Sequence, residues 1–158
     1  ARGDLPHGAL AGRVVVDTMN YYPQRDGQVA ELDDGSTTTS EVLQALAPDA
    51  KVVKAFNNIF FQHLASLARP SGAPDRSALA IAGDDPAAKE TVRRVLDEIG
   101  YDTVDLGPLP EGWRTQPGTP AYGSMYAVDP ADWSAGAIPL GRDGVAAAAA
   151  GAVRHREA

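Results

Sequence analysis

The sequence contains no cysteine among its 158 residues. That absence excludes a disulfide framework, a thiolate metal site and a cysteine nucleophile. No apolar run reaches the roughly 20 residues of a membrane-spanning helix. Asp and Glu number 21 against 14 Lys and Arg, and the resulting net charge of −7 argues against binding to nucleic acid or to an anionic membrane. We therefore expect a cytoplasmic protein with no nucleic-acid or membrane partner.

Motifs for hydrolysis, phosphoryl transfer and metal binding are also missing. The sequence has no Gly-x-Ser-x-Gly elbow and no Walker A loop. Its three histidines, His7, His63 and His155, are far apart and have no partner at metal-ligand spacing. Asp84-Asp85 directly precedes a proline, which is typical of a helix cap rather than of a magnesium site. We therefore predict no metal site and assign no catalytic residue.

Short apolar runs of strand length alternate with helical patterns along the first two thirds of the chain. Strands are predicted at Arg13–Thr18, Lys51–Phe56, Ser77–Gly83 and Tyr101–Leu106. Helices are predicted at Thr39–Ala47 behind a capping box, around Phe60–Leu67, and after Asp84-Asp85, with Val92, Val95, Leu96 and Ile99 on one buried stripe. This alternation predicts an α/β fold with a mostly parallel sheet.

The last third of the chain lacks a clear period. From Gly107 to Gly144 it consists of prolines, glycines and isolated aromatic residues, which predicts an ordered but irregular arm. The arm would pack on the sheet domain or on a partner subunit, so a homo-oligomer is left open. Alanine-rich residues from Asp143 to Arg156 predict a terminal helix.

Asparagines follow the first two predicted strands. Asn20 comes after the first strand, and Asn57 and Asn58 come after the second. Ligands of open parallel sheets sit beyond the carboxyl ends of the strands, where an amide can hydrogen-bond a carboxamide or the edge of a heterocycle. The same residues also suit a structural role, with Asn57 or Asn58 capping the next helix and Asn20 supporting a turn. Spacing alone leaves both interpretations open. In either case we expect Asn20, Asn57 and Asn58 to cluster at the carboxyl ends of two neighbouring parallel strands.

Four segments resemble a known family when they are taken in order. They are Val14–Asn20, Val52–Ile59, Ala82–Asp85 and Asp105–Leu109. Together they resemble the second half of the NADPH-dependent deazaflavin (coenzyme F-420) reductases. The oxidoreductase domain of the six-transmembrane epithelial antigen metalloreductases is similar and also has a Lys-Ala-Phe-Asn stretch. The resemblance covers about residues 12 to 123.

The resemblance implies a function and a site. It implies hydride transfer between NADP(H) and the deazaflavin coenzyme F-420, a chemistry that needs two stacked rings rather than an acid–base triad. It implies a partial, doubly wound Rossmann-like domain over residues 1–109, followed by the arm and helix over residues 110–158. The residues it places at the cofactor are Thr18, Met19, Asn20, Tyr21, Ala55, Phe56, Asn57 and Asn58.

The glycine-rich loop of that family is missing. None of the 16 glycines falls in a Gly-x-Gly-x-x-Gly pattern, the loop that holds the NADP diphosphate. The simplest interpretation is that the chain corresponds to the second half of a Rossmann domain and is inactive alone. Two alternatives are a non-catalytic NADP-binding or interaction module, and a reductase that uses another acceptor.

Overall fold

A computed structural model describes residues 7–154, so His155 lies outside the described residues. The helices are α1 (His7–Leu10), α2 (Pro23–Asp26), α3 (Ala30–Asp33), α4 (Thr39–Leu46), α5 (Phe61–Ser66), α6 (Pro86–Glu98) and α7 (Arg142–Ala150). The strands are β1 (Val14–Asp17), β2 (Lys51–Lys54), β3 (Ala78–Gly83), β4 (Asp102–Asp105), β5 (Ala127–Asp129) and β6 (Asp132–Ala137). Two 3₁₀ segments cover Leu109–Thr115 and Ser124–Tyr126. In the described part of the chain, no helix combines the length and the apolar character needed to cross a lipid bilayer.

Four strands form one sheet in the order β1-β2-β3-β4. The β1–β2 and β3–β4 pairs are parallel, and only the short β2–β3 pairing is antiparallel. With helices packed against it, this sheet is Rossmann-like, which confirms the predicted α/β fold with a mostly parallel sheet. The antiparallel step has one consequence for function. The carboxyl ends of β1 and β2 share one edge of the sheet, whereas those of β3 and β4 point to the opposite edge.

The core explains why the central strands are almost continuously apolar. All six residues of β3 are buried, and Val52 and Val53 of β2 are 2% and 0% exposed. Helix α6 packs on β2, β3 and β4, α7 packs on β3 and β4, and α4 packs on β2. A strand covered in this way has no solvent face, so its sequence does not alternate.

Two predicted helix caps are confirmed and one is wrong. The Thr38 hydroxyl accepts a hydrogen bond from the Glu41 amide at the start of α4 (3.2 Å), and the Asp85 carboxylate accepts one from the Ala88 amide at the start of α6 (2.8 Å). Asn57 and Asn58, in contrast, do not cap α5. That helix begins after Phe60, which makes no side-chain capping bond. The two asparagine side chains are engaged elsewhere, as described below.

The buried stripe of α6 is narrower than the sequence predicted. Val92 and Leu96 are 2% and 0% exposed, whereas Val95 and Ile99 are 45% and 42% exposed. Residues four apart lie almost above one another on a helix, while a residue three positions on is rotated by roughly 60°. Val95 and Ile99 therefore stand at the margin of the stripe, outside the part that the sheet covers.

The predicted irregular arm contains regular structure. Strands β5 and β6 form an antiparallel pair within it, so the prediction that residues 107–144 are too broken for regular elements was wrong. The arm packs on the sheet, where the Tyr126 hydroxyl donates to the Ala78 carbonyl oxygen (2.6 Å). The terminal helix is Arg142–Ala150. It is shorter than predicted, because Gly151 is its C-cap residue. The division of the chain between residues 109 and 110 stays a prediction.

The packing of α6 gives a matched pair of variants for a stability test. We expect Leu96→Ala to lower the free energy of unfolding by ~2–5 kcal/mol, because it leaves a cavity in the core. Val95→Ala should change it by no more than about 0.5 kcal/mol, because that side chain is 45% exposed and lies outside the stripe that the sheet covers. Urea denaturation of both variants measures the difference. Equal losses would contradict the packing of α6 described above.

Candidate functional site at the shared edge of two parallel strands

The parallel pairing of β1 and β2 places the ends of both strands side by side. Asp17, the last residue of β1, is in register with Lys54, the last residue of β2. The Ala55 amide then donates to the Asp17 carbonyl oxygen (3.1 Å), which extends the pairing by one step. The segments that follow, residues 18–22 and 55–59, therefore leave the sheet next to each other.

A buried ion pair lies directly beneath these two segments. The Lys54 ammonium is 3.1 Å from the Asp17 carboxylate, and the side chains are 3% and 0% exposed. The carboxylate also accepts hydrogen bonds from the Met19 amide (2.8 Å) and from the Ser40 hydroxyl in α4 (2.5 Å). A carboxylate removed from water needs this number of donors, because an unpartnered buried charge is strongly destabilising.

The ammonium of Lys54 is equally well satisfied. It donates to the Asp17 carboxylate, to the Thr39 hydroxyl (3.2 Å) and to the Met19 carbonyl oxygen. Burial lowers the pKa of Lys54 from its ordinary value, while the Asp17 carboxylate acts in the opposite direction. The pair thus connects β1, β2, the start of α4 and the Met19 backbone through one set of contacts.

The asparagines predicted to meet at this edge do so. The Asn20 side-chain amide donates to the Asn57 carbonyl oxygen (2.7 Å), and the Asn57 side-chain amide donates to the Asn20 side-chain oxygen (3.2 Å). The prediction that Asn20, Asn57 and Asn58 cluster beyond two neighbouring parallel strands is confirmed for Asn20 and Asn57. Asn57 also donates to the Thr115 carbonyl oxygen (2.8 Å), which holds the first 3₁₀ segment against the site.

Asn58 points away from the open edge into the protein. It is fully buried, and its side-chain amide donates to the Ala121 carbonyl oxygen (3.0 Å). Phe56 precedes the two asparagines with a φ of +63°, a left-handed conformation that is unfavourable for a bulky residue. Such local strain persists only where the surrounding contacts impose it, and it turns the chain so that Asn57 reaches Asn20.

An open groove of about 610 Å³ lies along the segment that follows β1. Four of its lining residues were predicted from the sequence: Thr18, Met19, Asn20 and Tyr21. Tyr22, Arg25, Asp26 and Thr39 complete the lining. The other predicted site residues, Ala55, Phe56, Asn57 and Asn58, are not part of it, and all but the half-buried Phe56 are buried. Cofactor binding by the eight residues stays a prediction.

Among the described residues that line the groove there is one cation, and it is already paired. Arg25 contacts the Asp26 carboxylate through two nitrogens (2.7 and 2.8 Å), and these bonds hold the pKa of Asp26 at about 2. The Arg25 guanidinium also lies 4.9 Å from the centre of the Tyr22 ring. The groove is therefore lined by amide, hydroxyl, thioether and aromatic groups and by one self-neutralised ion pair.

Sequence reasoning did not identify Asp17, Lys54 and Ser40 as parts of the site. The sequence did contain a signal for Asp17 and Lys54. Each is a charged residue at the fourth position of a short apolar strand, and the two positions are in register. A charge within a buried strand implies a partner. Ser40 offered no such signal, since a hydroxyl in the first turn of a helix is common on exposed surfaces.

The solved structures that are similar to this chain include the following two. The hypothetical protein SMa0349 from Sinorhizobium meliloti is 32% identical with a TM-score of 0.56, and the match covers 68% of this chain and 51% of that one. A protein from Arthrobacter sp. FB24, provisionally described as an F-420-dependent NADP-reductase, is 30% identical with a TM-score of 0.51, over 65% of this chain and 47% of the other. This chain has an NAD(P)-reductase-like fold. The likeness extends over the roughly two thirds of this chain that the two matches cover.

A curated relative gives a shorter match. This relative is an Escherichia coli (strain K12) protein that is provisionally named YjhV. It is 38% identical over 79 residues, which are 48% of this chain and 53% of that protein. No protein-family model matches the chain. The chain thus spans about half the length of the relatives that it matches.

The buried ion pair can be tested with single and double variants. We expect Lys54→Met to lower the free energy of unfolding by ~3–5 kcal/mol, because it leaves the Asp17 carboxylate buried without its countercharge. Combining Lys54→Met with Asp17→Asn should recover part of that loss, since the carboxylate charge is then gone. Chemical denaturation of Lys54→Met, Asp17→Asn and the double variant gives the coupling free energy. If the losses in free energy of unfolding of the two single variants add up to the loss in the double variant, the two side chains do not interact.

Proposed function

We propose that this chain forms the nicotinamide-facing part of an NADP(H)-dependent oxidoreductase that transfers a hydride between NADPH and the deazaflavin coenzyme F-420. The observation that carries the proposal is the groove at the shared edge of β1 and β2, with Asn20 held by Asn57 at its base. The likeness to the Arthrobacter protein, provisionally an F-420-dependent NADP-reductase, supports the same chemistry.

The chemical character of the groove suits hydride transfer. The nicotinamide of NADPH, when bound, supplies the hydride, and the protein contributes position, ring contact and exclusion of water. Met19 and Tyr21 offer apolar and aromatic surface for the faces of a ring. Asn20 retains one amide hydrogen and one oxygen lone pair for a carboxamide, because each of these groups makes only one of its two possible bonds to Asn57.

The ion pair acts on the site through the loop and is a positioning device. The Lys54 ammonium donates to the Met19 carbonyl oxygen, and the Asp17 carboxylate accepts from the Met19 amide. The ion pair therefore holds both backbone polar groups of Met19. Fixing Met19 also fixes the start of the loop that carries Asn20 and Tyr21. A prearranged surface of this kind lowers the entropic cost of placing a ring on it.

The phosphate groups of NADPH find little in the described residues. The part of the chain that the structure describes places one guanidinium in the groove, that of Arg25, and it is paired with Asp26. A diphosphate is ordinarily held by several charge-assisted bonds of ~1.5–3 kcal/mol each, so their absence lowers affinity by orders of magnitude. The residues present fit the nicotinamide end of the cofactor and do not fit its phosphate end.

This asymmetry predicts weak binding of the intact cofactor by the 158-residue chain. We expect titration calorimetry to show no saturable binding of NADPH at micromolar concentrations and no reduction of coenzyme F-420 by this chain. A micromolar Kd for NADPH would contradict the account, because it would require a phosphate site that the groove does not contain.

The nicotinamide end can be tested by itself. We expect reduced nicotinamide riboside, which carries no phosphate, to shift the amide NMR signals of Asn20 and its neighbours when it is titrated to millimolar concentration. Asn20→Ala should weaken binding severalfold by removing the carboxamide partner. Gln62→Ala, at an exposed position of α5 outside the groove, should leave it unchanged. Shifts that are absent at millimolar ligand, or a Kd that is unchanged in Asn20→Ala, would refute the proposed site.

A non-catalytic interaction module is the second candidate, and one observation favours it. Strand β1 is the outermost strand of the sheet, next to β2 on one side only, and its residues Val14 and Val16 are 36% and 40% exposed. An exposed apolar edge strand is typical of a surface that pairs with another chain. The nicotinamide titration distinguishes the two candidates, because a pure interaction module has no reason to bind the ligand at Asn20.

A further inference from the structure

The two methionines of the chain lie in different surroundings. Met19 follows β1, lines the groove and is 47% exposed. Met125 belongs to the second 3₁₀ segment and is partly buried against the main core. A methionine is oxidised where an oxidant reaches its sulfur atom, so the fold gives the two residues unequal access to the same reagent.

The Met19 side chain differs chemically from the others in the groove. Among the described residues that line it, Met19 is the one whose side chain carries no hydroxyl, amide or charged group. Oxidation to the sulfoxide adds a polar S=O group and a new stereocentre to this apolar side chain. The S=O group holds water by hydrogen bonding, and covering it with an apolar ring surface is unfavourable. Oxidation therefore removes apolar contact that the groove offers to a ring.

The backbone of Met19 is held in place, so the modified side chain stays at the groove. The Met19 amide donates to the Asp17 carboxylate (2.8 Å), and the Met19 carbonyl oxygen accepts from the Lys54 ammonium. Both partners are almost completely buried. Moving this backbone would take hydrogen bonds away from a buried ion pair, which is costly. The sulfoxide can rotate about the side-chain bonds of Met19, but the loop does not carry it away.

We propose that Met19 is a site of reversible oxidation by hydrogen peroxide, and that its sulfoxide weakens the binding of a nicotinamide ring in the groove. The oxidation stands on the surroundings of the two methionines alone. The effect on binding rests on the proposed function.

The oxidation needs no reactant besides the peroxide. The thioether sulfur of Met19 attacks one peroxide oxygen, an S=O bond forms, the O–O bond breaks, and the departing oxygen takes up the proton and leaves as water. The sulfur loses two electrons and the peroxide gains them. A thiol-dependent methionine sulfoxide reductase reverses the change, since two thiols are oxidised to a disulfide and the sulfoxide oxygen leaves as water.

Peptide mass spectrometry tests the oxidation, because trypsin separates the two methionines into residues 14–25 and residues 115–142. The folded chain is treated with hydrogen peroxide, catalase removes the excess, and the gain of one oxygen is followed in each peptide. We expect the Met19 peptide to be oxidised several times faster than the Met125 peptide. The same treatment in concentrated guanidinium chloride should make the two rates equal, since unfolding exposes both sulfur atoms.

A matched pair of variants tests the effect on binding, because leucine has nearly the volume of methionine and does not form a sulfoxide. In Met125→Leu, peroxide treatment should raise the Kd for reduced nicotinamide riboside severalfold, and sulfoxide reductase with dithiothreitol should restore it. In Met19→Leu, the Kd before and after peroxide should be the same.

The proposal is overturned if both methionines of the folded chain are oxidised at the same rate, or if peroxide leaves the Kd of Met125→Leu unchanged. A Kd that rises equally in both variants would also overturn it, because the change would then come from another residue. If the untreated chain does not bind the riboside, the proposed function fails and the effect on binding fails with it, whereas the comparison of rates still decides the oxidation of Met19.

Discussion

The site depends on the ion pair between Asp17 and Lys54. Two opposite charges are buried almost completely at the ends of adjacent strands, and each would be costly without the other. They can meet only if β1 and β2 pair in parallel with these residues in register. The pair also requires Ser40 and Thr39 at the start of α4 to complete the hydrogen bonds. One electrostatic constraint therefore fixes the strand register, the position of α4 and the loop at Met19.

From that fixed point the groove follows. The loop leaving Met19 carries Asn20, held by Asn57, and then Tyr21 and Tyr22, which line the groove. Among the described lining residues the one guanidinium, Arg25, is paired with Asp26, so the groove presents mainly amides, hydroxyls and rings. Such a surface can orient a flat group, but it offers little to a phosphate.

Local signals made part of this structure predictable. Capping by Thr38 and Asp85 was recognised from residue order within one helical turn, and the meeting of Asn20 with Asn57 followed from the rule that parallel strands end at one edge. Contacts between residues far apart in sequence were not predictable. The antiparallel step between β2 and β3 and the contact of Tyr22 with Tyr122 depend on how distant segments fold onto the sheet. Neither composition nor periodicity reports such contacts.

The most direct measurement uses the two methionines of the chain. Met19 lines the groove and is 47% exposed, whereas Met125 is partly buried against the core, so ¹³C-methyl labelling of methionine gives one reporter in the site and one control. With reduced nicotinamide riboside, we expect nuclear Overhauser effects from the nicotinamide protons to the Met19 methyl group and none to Met125. Effects to neither methyl group at saturating ligand, or to Met125 alone, would contradict the placement of the nicotinamide at this edge of the sheet.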